Sequence, residues 1–343
     1  MQNNQTEQIG LDIGTSAVRL VEVSPGGERP NLTTFSSHPL PSDLTALKGE
    51  AEKKQLSGLV KDLCEQASVK TDKTVVSLPA QHFNVSVMQV PQMDSDDLNG
   101  HIFSKMSEQM SMDKDGLQVD WHIVNQSVGN GEMLVFVVAA PGDVVSSYVD
   151  IVKMAGLSLR AVEVNALALA RSVIKDGSRP VVVLDFGQQT SEVAVIWQRV
   201  PYKSSSINVG ESALISAIEQ SLNVDNEEAS QFLKQYGASE TKFEGQILKA
   251  INSPLNDIVR TITEASEMFA SFSMDAQIEK IIVTGGITAL PEVPSYIANH
   301  TNMPVEIANP WVNLSYPATQ HDQLMNQSMQ FGVASGLALR DFV

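Results

Sequence analysis

The sequence holds a single cysteine, no apolar run of membrane-spanning length, and few bases. Cys64 stands alone, so no disulfide can close within the chain. It falls on the apolar face Leu56, Leu59, Val60, Leu63, Cys64 of an expected helix, where it reads as a small core residue. Nothing approaches the ~20 consecutive apolar residues that cross a bilayer. The opening "MQNNQTEQ" has neither the basic start nor the apolar centre of a secretory leader. Together these absences predict a cytoplasmic protein. Against 40 acids stand only 23 Lys and Arg, a net charge of −17. That excludes the basic surface a nucleic-acid partner requires and disfavours adhesion to anionic lipid. A compact polyanion can still bind where a few donors converge; elsewhere the acid excess solvates the surface.

At 343 residues, 43% of them hydrophobic, the chain is long enough for two or more globular domains. Strand and helix patterns alternate along it. Residues 9–14, 17–23 and 31–37 read as three consecutive strands, followed by a helix over 53–67 and the strand "KTVVSLPA". "FNVSVMQV" is a strand, and Ser95 is placed to cap a helix bearing Leu98, Ile102, Met106 and Met110 on one face. "LQVDWHIV" and "MLVFVVAAP" pair as strands ahead of a helix marked by Val145, Tyr148, Val152 and Ala155. "LRAVEVN" leads into an Ala/Leu helix.

The second half repeats this layout. "LDFGQQTSEVAVI" is again strand, turn, strand, with "SINVG" as the third strand. Helices are expected over 211–222 and 226–236. Ser253 and Pro254 read as the N-cap and first turn of a long helix with Leu255, Ile258, Ile262, Ala265, Phe269 and Phe272 on its face. "KIIVTGG" is a strand ending on two glycines, and the last helix contains Phe331, Val333, Ala334 and Leu337.

Three motifs carry chemistry. In "LDIGTSAVRLVEV" a strand pair is interrupted by Asp12, Gly14, Thr15 and Ser16, with Arg19 beyond. Such a turn aims backbone N–H groups and hydroxyls at one spot, and Gly14 lets an anion come close. Asp12 beside a phosphate makes sense with Mg²⁺ between them, held through water; Arg19 adds a cation. The second turn supplies Asp185, Gly187, Gln188, Thr190 and Ser191. Taken singly, each is also readable as a plain tight turn. Two copies facing across a cleft would clamp a triphosphate. The third motif, "VTGGITALPEV", ends a strand on Gly285 and Gly286, where a flat ring can lie on bare backbone; the plain reading is a turn needing positive φ.

In this order the motifs resemble the phosphate-1, phosphate-2 and adenosine motifs of the actin/Hsp70/sugar-kinase superfamily. Within it the chain most resembles the PilM family of type IV pilus assembly proteins, nearly end to end. "GLDIGTSAVRLVEV", "VVSLPAQHFNVSVMQVP", "VFVVAAPGDVVSSYVDIVKMAGL", "VEVNALALAR", "VLDFGQQTSEVAV", "IVTGGITALPEV" and "ASGLALR" carry that likeness in order. The block from Ala80 to Leu157 is similar to the 1C subdomain that the family shares with FtsA.

The resemblance implies an α/β fold of duplicated actin-like (ribonuclease H-like) domains with an inserted 1C subdomain. Residues 8–79, 158–178 and 328–343 would form subdomain 1A, 80–157 subdomain 1C, and 179–327 domain 2. It implies an ATP-binding cytoplasmic scaffold with Mg²⁺ linked to Asp12 and Asp185, and an adenosine site from Gly210, Gln231, Lys234, Gly285, Gly286 and Ile287. It implies as partner the cytoplasmic tail of a PilN-like bitopic inner-membrane protein, bound in a groove beside 1C, with motor ATPases beyond. Contact with the membrane would then be made only through that partner.

Departures bear on turnover. Where the family commonly has glutamate, this chain has Asn165, which either helps orient an attacking water or caps the following helix. Gln188 and Gln189 replace smaller residues, and the Glu-x-x-Lys pair of MreB-like relatives becomes Gln231 and Lys234. Hydrolysis is therefore expected to be slow or absent. Two alternatives are weaker. A sugar-kinase-type phosphotransferase would need a further catalytic aspartate. An FtsA- or MreB-like filament former of the FtsA kind would carry an amphipathic tail, where this sequence ends on "LALRDFV".

Overall fold

The computed structural model describes residues 6–41, Leu44, 49–272 and 276–343. Residues 1–5, part of the polar opening read above, lie outside the described residues. The first half runs β1 (Gln8–Ile13), β2 (Ala17–Ser24), β3 (Asn31–Pro39), α1 (Glu50–Ala67), β4 (Lys73–Leu78), β5 (Asn84–Pro91) and α2 (Ser95–Met110). It continues through β6 (Leu117–Asn125), β7 (Glu132–Pro141), α3 (Gly142–Met154), β8 (Ser158–Val164) and α4 (Asn165–Ser172). The second half runs β9 (Val181–Phe186), β10 (Ser191–Trp197), β11 (Val200–Ile207), α5 (Glu211–Leu222), α6 (Asn226–Tyr236) and α7 (Gln246–Ala270). After it come β12 (Ile281–Gly285), α8 (Val293–Thr301), β13 (Val305–Ile307), α9 (His321–Gln327) and α10 (Gly332–Ala338).

The duplication is visible in the sheets. One has the order β3-β2-β1-β4-β8, and the other contains β11-β10-β9-β12-β13. In each, three antiparallel strands come first and two parallel ones follow. Parallel strands need crossovers whose helices cover the faces. Accordingly β1, β9 and β10 are buried almost throughout, with Asp185 and Trp197 only partly buried, and read as apolar runs rather than alternations.

The block after β4 joins both halves. Its strands extend the second sheet as β11-β5-β7-β6, through a single pairing of Lys203 with Ser86. Its helix α3 instead packs on α1, placing Tyr148, Ile151 and Val152 in the core of the first sheet. Helix α2 covers the outer β6–β7 face with Leu98, Ile102 and Met106.

Three local expectations are corrected. Asp94, not Ser95, caps α2, its carboxylate accepting from the N–H groups of Asp96 and Asp97 at 3.1 and 3.0 Å. Helix α7 starts at Gln246, not at Ser253, and runs through Pro254. An interior proline costs about 3 kcal/mol, but Ile247 and Ile251 before it and Leu255, Ile258 and Ile262 after it are all fully buried in one core. That continuous apolar face offsets the lost hydrogen bond. The third strand of the second half begins at Val200, so "SINVG" supplies only its end.

Helix α10 is wedged between the first sheet and α4, all seven of its residues buried. Two glycines permit this. A Cβ on Gly10 would lie 2.0 Å from the Ala334 carbonyl oxygen, and one on Gly336 would lie 1.8 Å from that of Ala168. Both obstacles are backbone and cannot rotate away. Gly336→Ala is expected to lose about 2–3 kcal/mol of stability in chemical denaturation. Gly58→Ala, in an exposed turn of α1 with nothing within 4 Å, should gain about 0.5–1 kcal/mol. Equal effects at the two positions would contradict the close-packing argument.

Candidate functional site

The first two strands of each half, β1–β2 and β9–β10, turn toward one cleft of about 370 Å³. The turns close with the same backbone hydrogen bond. The Gly14 N–H donates to the Ala17 carbonyl at 3.1 Å, and that of Gly187 donates to Thr190 at 3.0 Å. A Cβ on Gly187 would come within 2.8 Å of the Thr190 oxygen, so tight closure, rather than positive φ, requires glycine there. The registers match too: Asp12 lies opposite Arg19, and Asp185 lies opposite Glu192, each pair seven residues apart. The two hairpins differ at that second position, one holding a cation and the other an acid.

Asp12, 7% exposed, accepts from the Ser77 hydroxyl at 3.1 Å and faces the Arg19 guanidinium at 3.5 Å. Burial nevertheless raises its pKa against both favourable partners. Asp185 is pushed up to about 6, by burial first and then by the Asp12 charge. Glu192, fully inside, is pushed up to about 7 by burial and by Asp185, with hydrogen bonding from Ser204 and Asn165 opposing. Asp12 and Asp185 share the charge of one arginine, and Glu192 has none beside it.

Of the predicted residues, the cleft brings together Asp12, Gly14, Thr15, Ser16, Arg19, Asn165, Asp185, Gly187, Gln188, Thr190, Gly285 and Gly286. The glycine pair divides its tasks. Gly285 has φ +84° and its Cβ would lie 2.1 Å from the Phe186 oxygen, whereas Gly286 has only the Glu211 carboxylate near, at 3.7 Å, and faces the cleft. Asn165 does not cap α4: Val164 holds that position and no side chain bonds there. Its Oδ1 is buried without a partner.

Five predicted residues sit outside the lining. The Ser191 hydroxyl donates to the Val209 carbonyl. Gly210 braces the second turn from behind, where a Cβ would be 2.6 Å from the Gln188 oxygen. The adjacent Glu211 and Ser212 N–H groups bond to the Gly187 and Gln188 carbonyls. Ile287 is buried in the second core. Gln231 and Lys234 are exposed on α6, because Ala229 and Leu233 form its inward face. Glu192, Glu211, Ser37, Met329 and Gln330 line the cleft without having been singled out.

The donor set fits a polyphosphate with a hydrated cation. Arg19 Nε is a buried donor without a partner, and Asn165 Oδ1 and Glu192 Oε2 are buried acceptors without one. Among the described residues no three His, Cys, Asp or Glu converge to ligate a metal directly. Asp12 and Asp185 are therefore suited to hold Mg²⁺ through its water shell.

A second cavity, about 280 Å³, is a groove between β6–β7 and the β8–α4 turn. Leu78, Phe83, Phe136, Val138, Val164 and Leu167 make it apolar, with Asp120 and His122 on one side and Arg340 on the other. Arg340 is anchored there by Glu163, at 2.7 Å, which also receives a bidentate pair from Arg171 at 2.7 and 2.9 Å.

A family model described as type IV pilus assembly protein PilM matches residues 10–342. The chain belongs to the PilM family. Among solved structures, a chain of the PilM–PilN type IV pilus biogenesis complex is similar over 99% of both chains, with 24% identity and a TM-score of 0.81. The ethanolamine utilization protein EutJ from Carboxydothermus hydrogenoformans is similar over 97% of this chain and 89% of its own, at 14% identity and TM-score 0.57. MreB 5 of Spiroplasma citri, bound to AMPPNP, is similar over 96% and 94%, at 13% identity and TM-score 0.53. The fold of this PilM-family chain is thus actin-like. No helix among its described residues is long and apolar enough to cross a membrane.

The raised Glu192 pKa links to stability with a definite sign. An acid whose folded pKa exceeds its unfolded value penalises the native state above the folded pKa, and the penalty fades as pH falls. In nucleotide-free protein Glu192→Gln should therefore add about 1–3 kcal/mol at pH 8 and far less near pH 5. Denaturation curves at both pH values check this; a gain independent of pH would contradict it.

Proposed function

We propose that this PilM-family protein is an ATP-binding scaffold of type IV pilus assembly that holds the cytoplasmic tail of a PilN-like inner-membrane protein. One observation carries the reading: a chain similar to the PilM–PilN complex over its whole length has both a two-hairpin cleft and a separate apolar groove beside β6–β7. In it, 8–79, 158–178 and 328–343 act as subdomain 1A, 80–157 as 1C and 179–327 as domain 2.

The chain's own residues do most of the binding. The Gly14 and Gly187 turns with Thr15, Ser16 and Thr190 offer donors to phosphates, Arg19 offsets their charge, and Gly286 leaves room for a flat base. Mg²⁺, when bound through water to Asp12 and Asp185, neutralises the charge shared by carboxylates and phosphates. The likeness to an AMPPNP-bound MreB supports the same site. An extended tail of about ten residues suits the groove, gaining main-chain hydrogen bonds and a few buried apolar anchors at micromolar affinity. Asp120 at the rim and the overall acidity favour arginine or lysine in that tail. Through it the protein sits peripherally at the inner membrane and couples that platform to motor ATPases.

Calorimetry tests the nucleotide half. MgATP should bind, and Asp12→Ala or Gly286→Val should weaken it by about 1–3 kcal/mol. Gly286→Val has room to fold but fills the base platform. No binding to folded wild type would leave an actin-like scaffold without nucleotide.

Titration with a peptide of the partner's cytoplasmic tail tests the other half. Deleting 80–157 would strip α3 from the first core, so a point change is preferable. Val138→Glu puts a charge on the groove wall and should cost tenfold or more in affinity. Undiminished binding would place the tail elsewhere.

A further inference from the structure

The first sheet ends on β3, and that edge lacks the usual guards. Edge strands are normally blunted by charge, proline, shortness or a covering segment, because their outward N–H and C=O groups template pairing. At the start of β3 the edge is closed, the Leu32 N–H donating to the Ser315 carbonyl at 2.9 Å. Beyond it, residues 33–37 read Thr-Thr-Phe-Ser-Ser, without charge, proline or glycine. Among the described residues, this run has no backbone partner other than β2. The sheets' other edges are different. Strand β13 has three residues, β6 presents Asp120 and His122, and β8 lines the apolar groove.

A channel of about 480 Å³ follows the same run of β3. Its opposite wall is made by Gln320, Gln323 and Gln327, spaced three and four apart at α9 and exposed. None of the residues lining this channel is ionisable, in a chain of net charge −17. Carboxamides both donate and accept, so they can serve an incoming backbone or copies of themselves. The Phe35 ring is fixed from behind by Trp311 and Phe331, with centroids 5.5 and 5.2 Å away. The edge is thus presented on a packed support.

The run also complements itself. In antiparallel pairing about a two-fold axis at Phe35, Thr34 of each copy falls opposite Ser36 of the other, and Thr33 opposite Ser37. Facing hydroxyl residues are favourable cross-strand partners, and no like charges are opposed. The ladder to β2 is regular from Thr34 to Pro39 and slips only at Thr33, so the central pairs lie on undistorted strand. A charged peptide finds no counter-charge here; a second copy finds its own match.

We propose that β3 is a self-association edge, through which two copies of this chain pair antiparallel over residues 33–37 and join their first sheets. Strand β8 forms the opposite edge of that sheet. The dimer therefore leaves both apolar grooves open, one toward each end of the joined sheet.

Light scattering during size-exclusion chromatography tests this on the full chain from about 1 to 100 μM. Wild type should pass from monomer to dimer within that range. Thr34→Lys with Ser36→Lys sets like charges opposite in both central pairs and should weaken the dimer by about tenfold or more. Thr34→Lys with Ser36→Glu sets opposite charges there and should keep it within about threefold of wild type. Hydrogen exchange on wild type gives a reading independent of any variant: amides in 33–37 should gain protection in the dimer. Wild type that stays monomeric overturns the proposal, as does a dimer whose 33–37 amides exchange as in the monomer. Equal behaviour of the two folded double variants overturns it too.

Discussion

Four ionisable groups meet where the two halves of the molecule face each other: Asp12, Arg19, Asp185 and Glu192. Their burial together is the constraint around which the rest is arranged. Carboxyls this close and this dry drive one another's pKa upward. The free protein tolerates them because the two flanking sheets are large, continuous cores. Stability is given up locally at a site whose unsatisfied donors and acceptors are those a hydrated metal–polyphosphate would satisfy. Such a conflict between local energy and fold is the usual mark of a functional position.

The same backbone elements serve both cavities. At the β8–α4 turn, Val164 and Leu167 face the groove while Asn165 faces the cleft. At the end of β4, Leu78 lines the groove and Pro79 the cleft. Helix α10 brings Gly332 and Val333 to the cleft, and Arg340 just beyond it reaches the groove. These elements are held without slack, since Gly10 and Gly336 let backbone pack directly on backbone. On the proposed reading two ligands would sit on opposite sides of one turn, an arrangement that needs that rigidity.

Much of this was legible in the residue pattern, for physical reasons that also mark where legibility ends. The hairpins were readable because a turn of Asp-x-Gly with hydroxyls interrupts an otherwise apolar strand pair twice. Asp94 and Ser95 are both of a residue type that caps helices, and only backbone geometry decides which one stands outside the first turn. Pro254 suggested a helix start, but tertiary burial on both sides of it overrode the local rule. Gln231 and Lys234 were placed by likeness, and the inward turn of Ala229 and Leu233 sends them to solvent. Glu192 is the cleft residue whose pattern says least. A single acid in "SEVAVI" looks like the wet side of a strand until β10 is seen to be covered on both faces. Its seven-residue spacing from Asp185, equal to that of Arg19 from Asp12, was the available signal.

The central claim is that the two hairpins hold one nucleotide between them. A crystal structure of the protein with AMPPNP and Mg²⁺ tests it most directly. The account predicts phosphate density between the Gly14 and Gly187 turns, a hydrated cation bridged by water to Asp12 and Asp185, and the base against Gly286. Nucleotide density at any other place, or an unoccupied cleft at saturating ligand, would contradict it.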